Sequence, residues 1–300
     1  METRFYFVHA ITPLHAGTGQ GAGHIDLPIQ RERASQHPVL PGSSFKGAIR
    51  DRVEQALDRA RTEAMLGPRP PGGDDSPEAS HFASPLRFSD ARLLLLPVQS
   101  DRGTFAWVTS PTLLSRLQRD GAGALGSELD KLPLPSPTDT TCVVCKDSAL
   151  VDGKRVVLDG LGFARAEGQA DAWARALAGL VFDAQAPHAA TWRGLLGKRF
   201  CVVDDDTFTW LAQQATEVRA RIRIDHATGT VKGGALWYEE SLPSEAVLVG
   251  MVQYVGHKKA AKAATCWKDL AGVLAQPVQL GGKATIGQGL CRVSLTGGAA

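Results

Sequence analysis

LHAGTGQGAGHIDLPIQRERASQHPVLPGSSFKGAIR, residues 14–50, joins a glycine-spaced loop, one acidic residue, a basic run and a helix-forming segment in unbroken succession. Gly17, Gly19, Gly21 and Gly23 stand at alternate positions, which permits positive φ angles and lets the backbone approach another molecule without obstruction by a Cβ. The loop follows a strand-like run, Phe5 to Ile11, and leads through Asp26 into Arg31, Glu32 and Arg33. Loops that carry chemistry commonly sit on a rigid strand in this way.

From Ser43 or Ser44 onward, Phe45, Ala48, Ile49, Val53, Ala56 and Leu57 recur at three- and four-residue spacing, which predicts an amphipathic helix. Lys46 and Arg50 fall on one flank near its start, where free backbone N–H groups and the helix dipole favour an anion such as phosphate. Two solvated surface charges would account for the same spacing equally well.

Working outward, 300 residues suit either two average domains or one elaborated domain. With 43% hydrophobic residues the chain can bury a core, and a net charge of +2 provides no global field for a polyanion. Any nucleic-acid site must therefore be a local patch. No apolar run approaches the roughly 20 residues needed to cross a bilayer, and METRFYFVHAITPLH lacks the layout of a secretory signal, which predicts a cytoplasmic protein with no membrane partner. Five scattered cysteines, an odd number, fit a reducing compartment. Cys142 and Cys145 form one CxxC, but no second pair lies at zinc-finger spacing, so reduced thiols are favoured over a structural metal.

Residues 67–85 have the Pro, Gly, Ser and Asp content of a mobile loop, and residues 121–139 read as an insertion loop. RFSDARLLLLPVQS and TFAWVTSP predict a hairpin turned through SDRG, followed by a helix from Pro111 with Leu113, Leu114 and Leu117 on one face. A strand is expected at Arg155 to Leu158. Helices are expected over ADAWARALAGLVF and near Thr207 to Thr216, with Asp204, Asp205 and Asp206 capping the latter rather than holding metal. In VRARIRIDHATGTVKGGALWYEESLP, Arg219, Arg221 and Arg223 alternate with Val218, Ile222 and Ile224 before a turn at Ala227 to Gly229. Period-two alternation puts the arginines on one face of a β-hairpin, suited to a phosphate backbone or, more plainly, to solvent. PVQLGGKATIGQGLCRVSL gives two strand-like arms around a second glycine loop, Gly281 to Gly289. No GxGxxG after a strand and no GxxxxGK[ST] is present, so the expected class is α+β, a sheet with helices on one face.

LHAGTGQG, IDLPIQRE, LPGSSFKGAIR, FSDARLLLLPVQS, FAWVTSP, GALWYEE and LGGKATIGQG, in that order between about residues 5 and 295, resemble the backbone subunits of Cmr-type (type III-B) CRISPR effector complexes, members of the RAMP superfamily. The resemblance implies a ferredoxin-like, RRM-like palm spanning residues 1–300 with inserted loops, and a thumb β-hairpin at residues 216–243. It implies further copies of the chain stacked as a filament along a CRISPR guide RNA, other subunits of the complex, and a target single-stranded RNA as partners. Ser44, Lys46, Arg50, Gly17, Gly19, Gly282, Lys283 and Gly287 become guide-facing candidates, and Arg219, Arg221 and Arg223 join them on the thumb.

The family cuts target RNA beside a nucleotide left unpaired by the thumb, and the acidic residue on which cutting depends corresponds to Asp26. An RNA phosphodiester can be cut by its own 2′-hydroxyl once that oxygen lies in line with the leaving 5′-oxygen, an effect of positioning. Asp26 would hold a divalent cation, Mg or Mn, or accept the hydroxyl proton; an ordinary aspartate is a weak base, which favours the metal role. His15 and Glu239 match family positions near the scissile phosphate, though His15 has a simpler use in bonding the loop backbone and Glu239 in an exposed acidic pair with Glu240. Ser241 stands where members of the family it resembles often carry an aromatic, which argues against a stacking role at that position. Three functions stay open on these grounds: a guide-dependent endoribonuclease, a non-catalytic scaffold that protects the guide, and a stand-alone enzyme acting on a nucleotide phosphate.

Overall fold

The computed structural model describes residues 2–21, 23–69, 82–184, 186–225, 227–256 and 261–296. In chain order, β1 (Glu2–Ala10) and a short β2 (Val39–Leu40) precede α1 (Gly42–Ala56) and α2 (Arg59–Leu66). β3 (Leu86–Phe88), β4 (Ala91–Gln99) and β5 (Phe105–Thr109) lead into α3 (Pro111–Gly121) and a short α4 (Ser127–Asp130). Then come β6 (Thr141–Val144), β7 (Arg155–Leu158), β8 (Leu161–Ala166), α5 (Ala170–Val181) and α6 (Ala189–Arg199). β9 (Phe200–Val202) and α7 (Asp205–Gln214) deliver the chain to β10 (Glu217–Ile224) and β11 (Val231–Ser241), and β12 (Val247–Tyr254), α8 (Ala263–Leu274), β13 (Val278–Gln279) and β14 (Leu290–Leu295) complete it.

One large sheet runs β13-β14-β1-β12-β4-β5-β9-β6-β8-β7. It is mixed, since β5–β9 and β6–β8 are parallel while β1 is antiparallel to both β12 and β14. Alternate residues of β1 serve two different cores. Tyr6, Val8 and Ala10 pack with Phe45, Ile49 and Val53 of α1 and Trp267 and Leu270 of α8, whereas Phe5 and Phe7 pack with Trp173 and Leu177 of α5 and Leu114 of α3.

Helices thus cover both faces of the sheet, correcting the one-face expectation. The physical reason is visible in FYFVHA and LLLLPV: strands covered on both sides need apolar residues at every position rather than at alternate ones. α1 is seated by Tyr6, whose ring stacks on Phe45 at 4.2 Å and whose hydroxyl donates to Ser89 O at 2.7 Å. Gly250 of β12 makes room for that ring, because a Cβ there would lie 2.4 Å from it.

Of residues 67–85, the stretch 70–81 lies outside the described residues. Residues 121–139 include α4, whose Leu129 is buried, and Pro133 O accepts the Trp173 indole N–H at 2.9 Å, so this insertion is fastened to α5. Asp204 caps α7 by accepting from the amides of Asp206 and Thr207. All five cysteines are buried free thiols; burial and the nearby Asp171 push Cys145 up to about 12.

The β10–β11 hairpin forms a sheet of its own. Val218, Ile222, Leu236 and Tyr238 stand 41–55% exposed on one face, and cross-strand pairing places Arg219 opposite Glu239 and Arg221 opposite Trp237 on the other. Among the described residues no helix is long and apolar enough to cross a membrane.

Candidate active site

The foot of β11 organises the site. Residues 26–28 run beside it, Leu27 pairing in parallel with Glu239: Leu27 N donates to Tyr238 O at 3.0 Å and Glu240 N to Leu27 O at 3.0 Å. Asp26 therefore ends up at the outer edge of β11, where its Oδ2 accepts the Tyr238 amide at 2.7 Å. Its carboxylate is exposed, and among the described residues Oδ1 has no partner. Two residues further along the same edge, Glu240 O lies 2.6 Å from His15 Nδ1. A carbonyl only accepts, so Nδ1 carries the proton and, in the neutral ring, Nε2 carries the lone pair. Gly17 must be glycine here, since a Cβ would fall 2.5 Å from Nε2.

Beyond this foot lies a groove of about 780 Å³ between the first glycine loop, α1 and the C-terminal glycine loop. Its walls include His15, Gly17, Gly19, Ser44, Gly282 and Lys283, so six sequence candidates from three distant segments share one surface. The C-terminal loop reaches it by an isolated antiparallel bridge to the segment that carries His15: Gly282 N donates to His15 O at 2.9 Å. Gly281, at φ +69°, lies so close that an added Cβ would meet His15 O at 2.5 Å. The tight approach that these glycines permit is thus partly internal, whereas Gly19, at φ +95°, faces open space.

Glu239 joins groove and hairpin. It is 3% exposed, and it accepts from Lys283 Nζ at 2.7 Å, Trp237 Nε1 at 2.8 Å and Arg221 Nε at 3.2 Å. Burial alone would raise its pKa, but these donors and cations outweigh burial and hold it at about 2. Glu240, 2% exposed, accepts from the Ile29 amide, Thr216 Oγ1 and Arg31. The exposed acidic pair is therefore corrected: both carboxylates are buried and bonded, because Arg31, Arg221 and Lys283 arrive from elsewhere in the chain to neutralise them.

The RAMP superfamily profile matches residues 7–292. The chain belongs to the RAMP superfamily. It is 31% identical to the Cmr endoribonuclease Cmr4 of the Pyrococcus furiosus CRISPR system, over 98% of this chain and 96% of that protein. It is 25% identical to the CMR subunit Cmr4 of Saccharolobus solfataricus, over 95% and 94%. The fold matches a crystal structure of oligomeric Cmr4 from Pyrococcus furiosus (TM-score 0.73, 23% identity, covering 99% and 98%) and a chain of the type III-B Cmr-beta complex bound to cognate target RNA (0.70, 22%, 98% and 97%).

Other candidates in this RAMP chain fall elsewhere. Arg50 does not line the groove: it donates to Leu66 O and Gly67 O, each at 2.8 Å, and so closes the end of α2. Lys46 is half-buried and also absent from the walls, its pKa pushed down by burial and by Arg50. The helix N-terminus is already served, since Asp90 Oδ1 accepts the Gly42 amide at 2.8 Å. Gly287, at φ +80°, ends the short turn 284–286 away from the walls. On the hairpin, Arg219 is paired with Glu217 and Arg221 with Glu239, leaving Arg223 without an ion pair among the described residues.

Arg52, Asp51 and Gln55 line the groove of this RAMP chain and were not singled out from the sequence. The signal was the second face of α1: Ser44, Ala48, Asp51, Arg52 and Gln55 follow helical spacing on the flank away from Phe45, Ile49 and Val53. No cluster of three or more metal-ligating side chains occurs among the described residues, Cys142 and Cys145 included.

Proposed function

We propose that this chain is the guide-RNA-binding backbone subunit of a type III-B Cmr complex and an endoribonuclease that cuts complementary target RNA in antiviral defence. The observation that carries this is Asp26, an exposed carboxylate fixed to the Tyr238 amide where the hairpin leaves the body, on a strand whose next residue, Glu239, holds Lys283 of the groove wall. The curated relative at 31% identity, a Cmr endoribonuclease, supports the same activity. β1–α1–β4 and β12–α8–β14, with the strand order β14-β1-β12-β4, are what we read as the ferredoxin-like palm, and β10–β11 as the thumb. Oligomers of the Pyrococcus furiosus protein support a filament of copies along the guide.

In this mechanism the groove seats the guide backbone, and the hairpin turns one target nucleotide out of register beside Asp26. The 2′-hydroxyl of that nucleotide then gives its proton to water and attacks the adjacent phosphorus to close a 2′,3′-cyclic phosphate, while the 5′-oxygen leaves and takes a proton from water, alignment providing most of the acceleration. Asp26 is one carboxylate with a free oxygen, which fits a hard cation that keeps water and substrate phosphate as its other ligands. A Mg or Mn ion held there would neutralise charge on the phosphate. His15, bonded through Nδ1, steadies the loop; Glu239, ionised and saturated with donors, positions Lys283 and Arg221 and takes no proton.

Asp26→Asn keeps shape and removes charge. Assembled complexes carrying it should bind target RNA as the wild type does and fail to cut it; undiminished cutting would leave the chain a scaffold.

A further inference from the structure

Resting on that function, we infer that Trp237 is the platform on which the turned-out base of the target stacks. Cross-strand pairing puts Trp237 opposite Arg221, on the face of the hairpin that also carries Arg219. The other aromatic of the hairpin, Tyr238, projects to the opposite, apolar face, because neighbouring strand residues alternate. Trp237 is half-buried and its indole N–H is spent on Glu239 Oε1 at 2.8 Å, so the ring is pinned by its edge rather than free to rotate. The same carboxylate takes Arg221 and Lys283, so Trp237 shares its acceptor with one hairpin arginine and with a lysine of the groove wall.

Position along the strand completes the case. The residue after Trp237 gives its amide to Asp26, so the indole is anchored one residue from the backbone atom that holds the carboxylate. A base lying on this ring would bring its own ribose and phosphate to the edge of β11 where Asp26 stands. An aromatic face set within positive charge is the arrangement that binds single-stranded nucleotides without regard to sequence, since every base has a π-face. Glu239 does not spoil it, being neutralised by its two cations. The platform would therefore accept any of the four bases.

The test uses complexes assembled with guide RNA, carrying Trp237→Phe, Trp237→Leu or Trp237→Ala, and a target RNA with 2-aminopurine at the turned-out position. Trp237→Leu and Trp237→Ala should slow cutting by about tenfold or more, the loss expected for one base–aromatic stack, while Trp237→Phe stays within a few-fold of wild type. Quenching of 2-aminopurine should be strong in wild type and Trp237→Phe and weak in Trp237→Leu. Equal quenching in wild type and Trp237→Leu would overturn the proposal, whatever the cutting rates. So would a loss in Trp237→Phe as deep as in Trp237→Ala, which would assign the effect to the hydrogen bond with Glu239. Either result leaves Asp26→Asn as the separate arbiter of cutting itself.

Discussion

Lys283 Nζ stands 2.7 Å from Glu239 Oε1, so a residue of the C-terminal glycine loop is tied by charge to the foot of the hairpin. Lys283 itself stands at φ +67°, a left-handed conformation that non-glycine residues seldom take. Groove and hairpin are consequently one electrostatic unit.

Acid should loosen that unit. The folded pKa of Glu239, about 2, is below its ordinary value of 4.5, so its stabilisation is fully present above pH about 4.5 and fades as pH falls towards 2. At neutral pH it amounts to roughly 3 kcal/mol at most. Urea unfolding of wild type and Glu239→Gln should show that gap at pH 7 and a clearly smaller one at pH 3. A gap independent of pH would mean that the carboxylate charge contributes nothing.

The glycines of the C-terminal loop should divide sharply. Gly289→Ala, at φ +82° with its Cβ 2.0 Å from Leu280 O, should destabilise the fold by about 3 kcal/mol or more, combining left-handed strain with a backbone clash. Gly287→Ala, at φ +80° but facing open space, should cost only about 1–2 kcal/mol. Thermal unfolding of the two variants distinguishes them.

Arg50 and Arg52 are neighbours in sequence with different tasks. Arg50→Ala removes two bonds to the carbonyls that end α2 and should cost about 2–3 kcal/mol of stability, with the salt dependence of guide binding unchanged. Arg52→Ala, on the groove wall, should leave stability alone and reduce the slope of log K against log salt by about 0.7–1. Filter binding across a salt series reads the second effect, and calorimetry the first.

Among the hairpin arginines, Arg223→Ala should lower the salt slope of target binding by about 0.7–1, because no ion pair holds Arg223 among the described residues. Arg219→Ala should change it less, its charge being shared with Glu217. Equal slopes for the two single variants would show that the Arg219–Glu217 pair dissolves on RNA.

Local patterns were legible where a residue's role is set by its own neighbours. The spacing of Phe45, Ile49 and Val53 gave α1, the turn between Arg223 and Val231 gave the hairpin, and the run after Phe5 gave β1; FYFVHA also carried the message that both faces are covered, which the one-face expectation overlooked. The candidate site was legible in its glycine loops and Asp26. The bonds of Arg50 and the burial of the Glu239–Glu240 pair were not legible because their surroundings are assembled from distant segments: α2 supplies the carbonyls for Arg50, and Lys283 and Arg31 supply the cations that allow two adjacent glutamates to be buried. α8, unremarked in sequence, has Trp267, Leu270 and Leu274 at helical spacing; a short apolar run after a Lys-Ala-rich flank carries no clear start signal.

Asp26 and His15 are both attached to β11 through main-chain atoms, the Tyr238 amide and the Glu240 carbonyl. Peptide groups are common to nearly every residue type, so neither attachment is itself made by the side chain at 238 or 240, although the Glu240 carboxylate separately holds the Ile29 amide of the adjoining segment. Proline at 238 is the exception, having no N–H to give. The placing of the candidate carboxylate and imidazole is thereby insulated from side-chain drift at 238 on the strand that defines it.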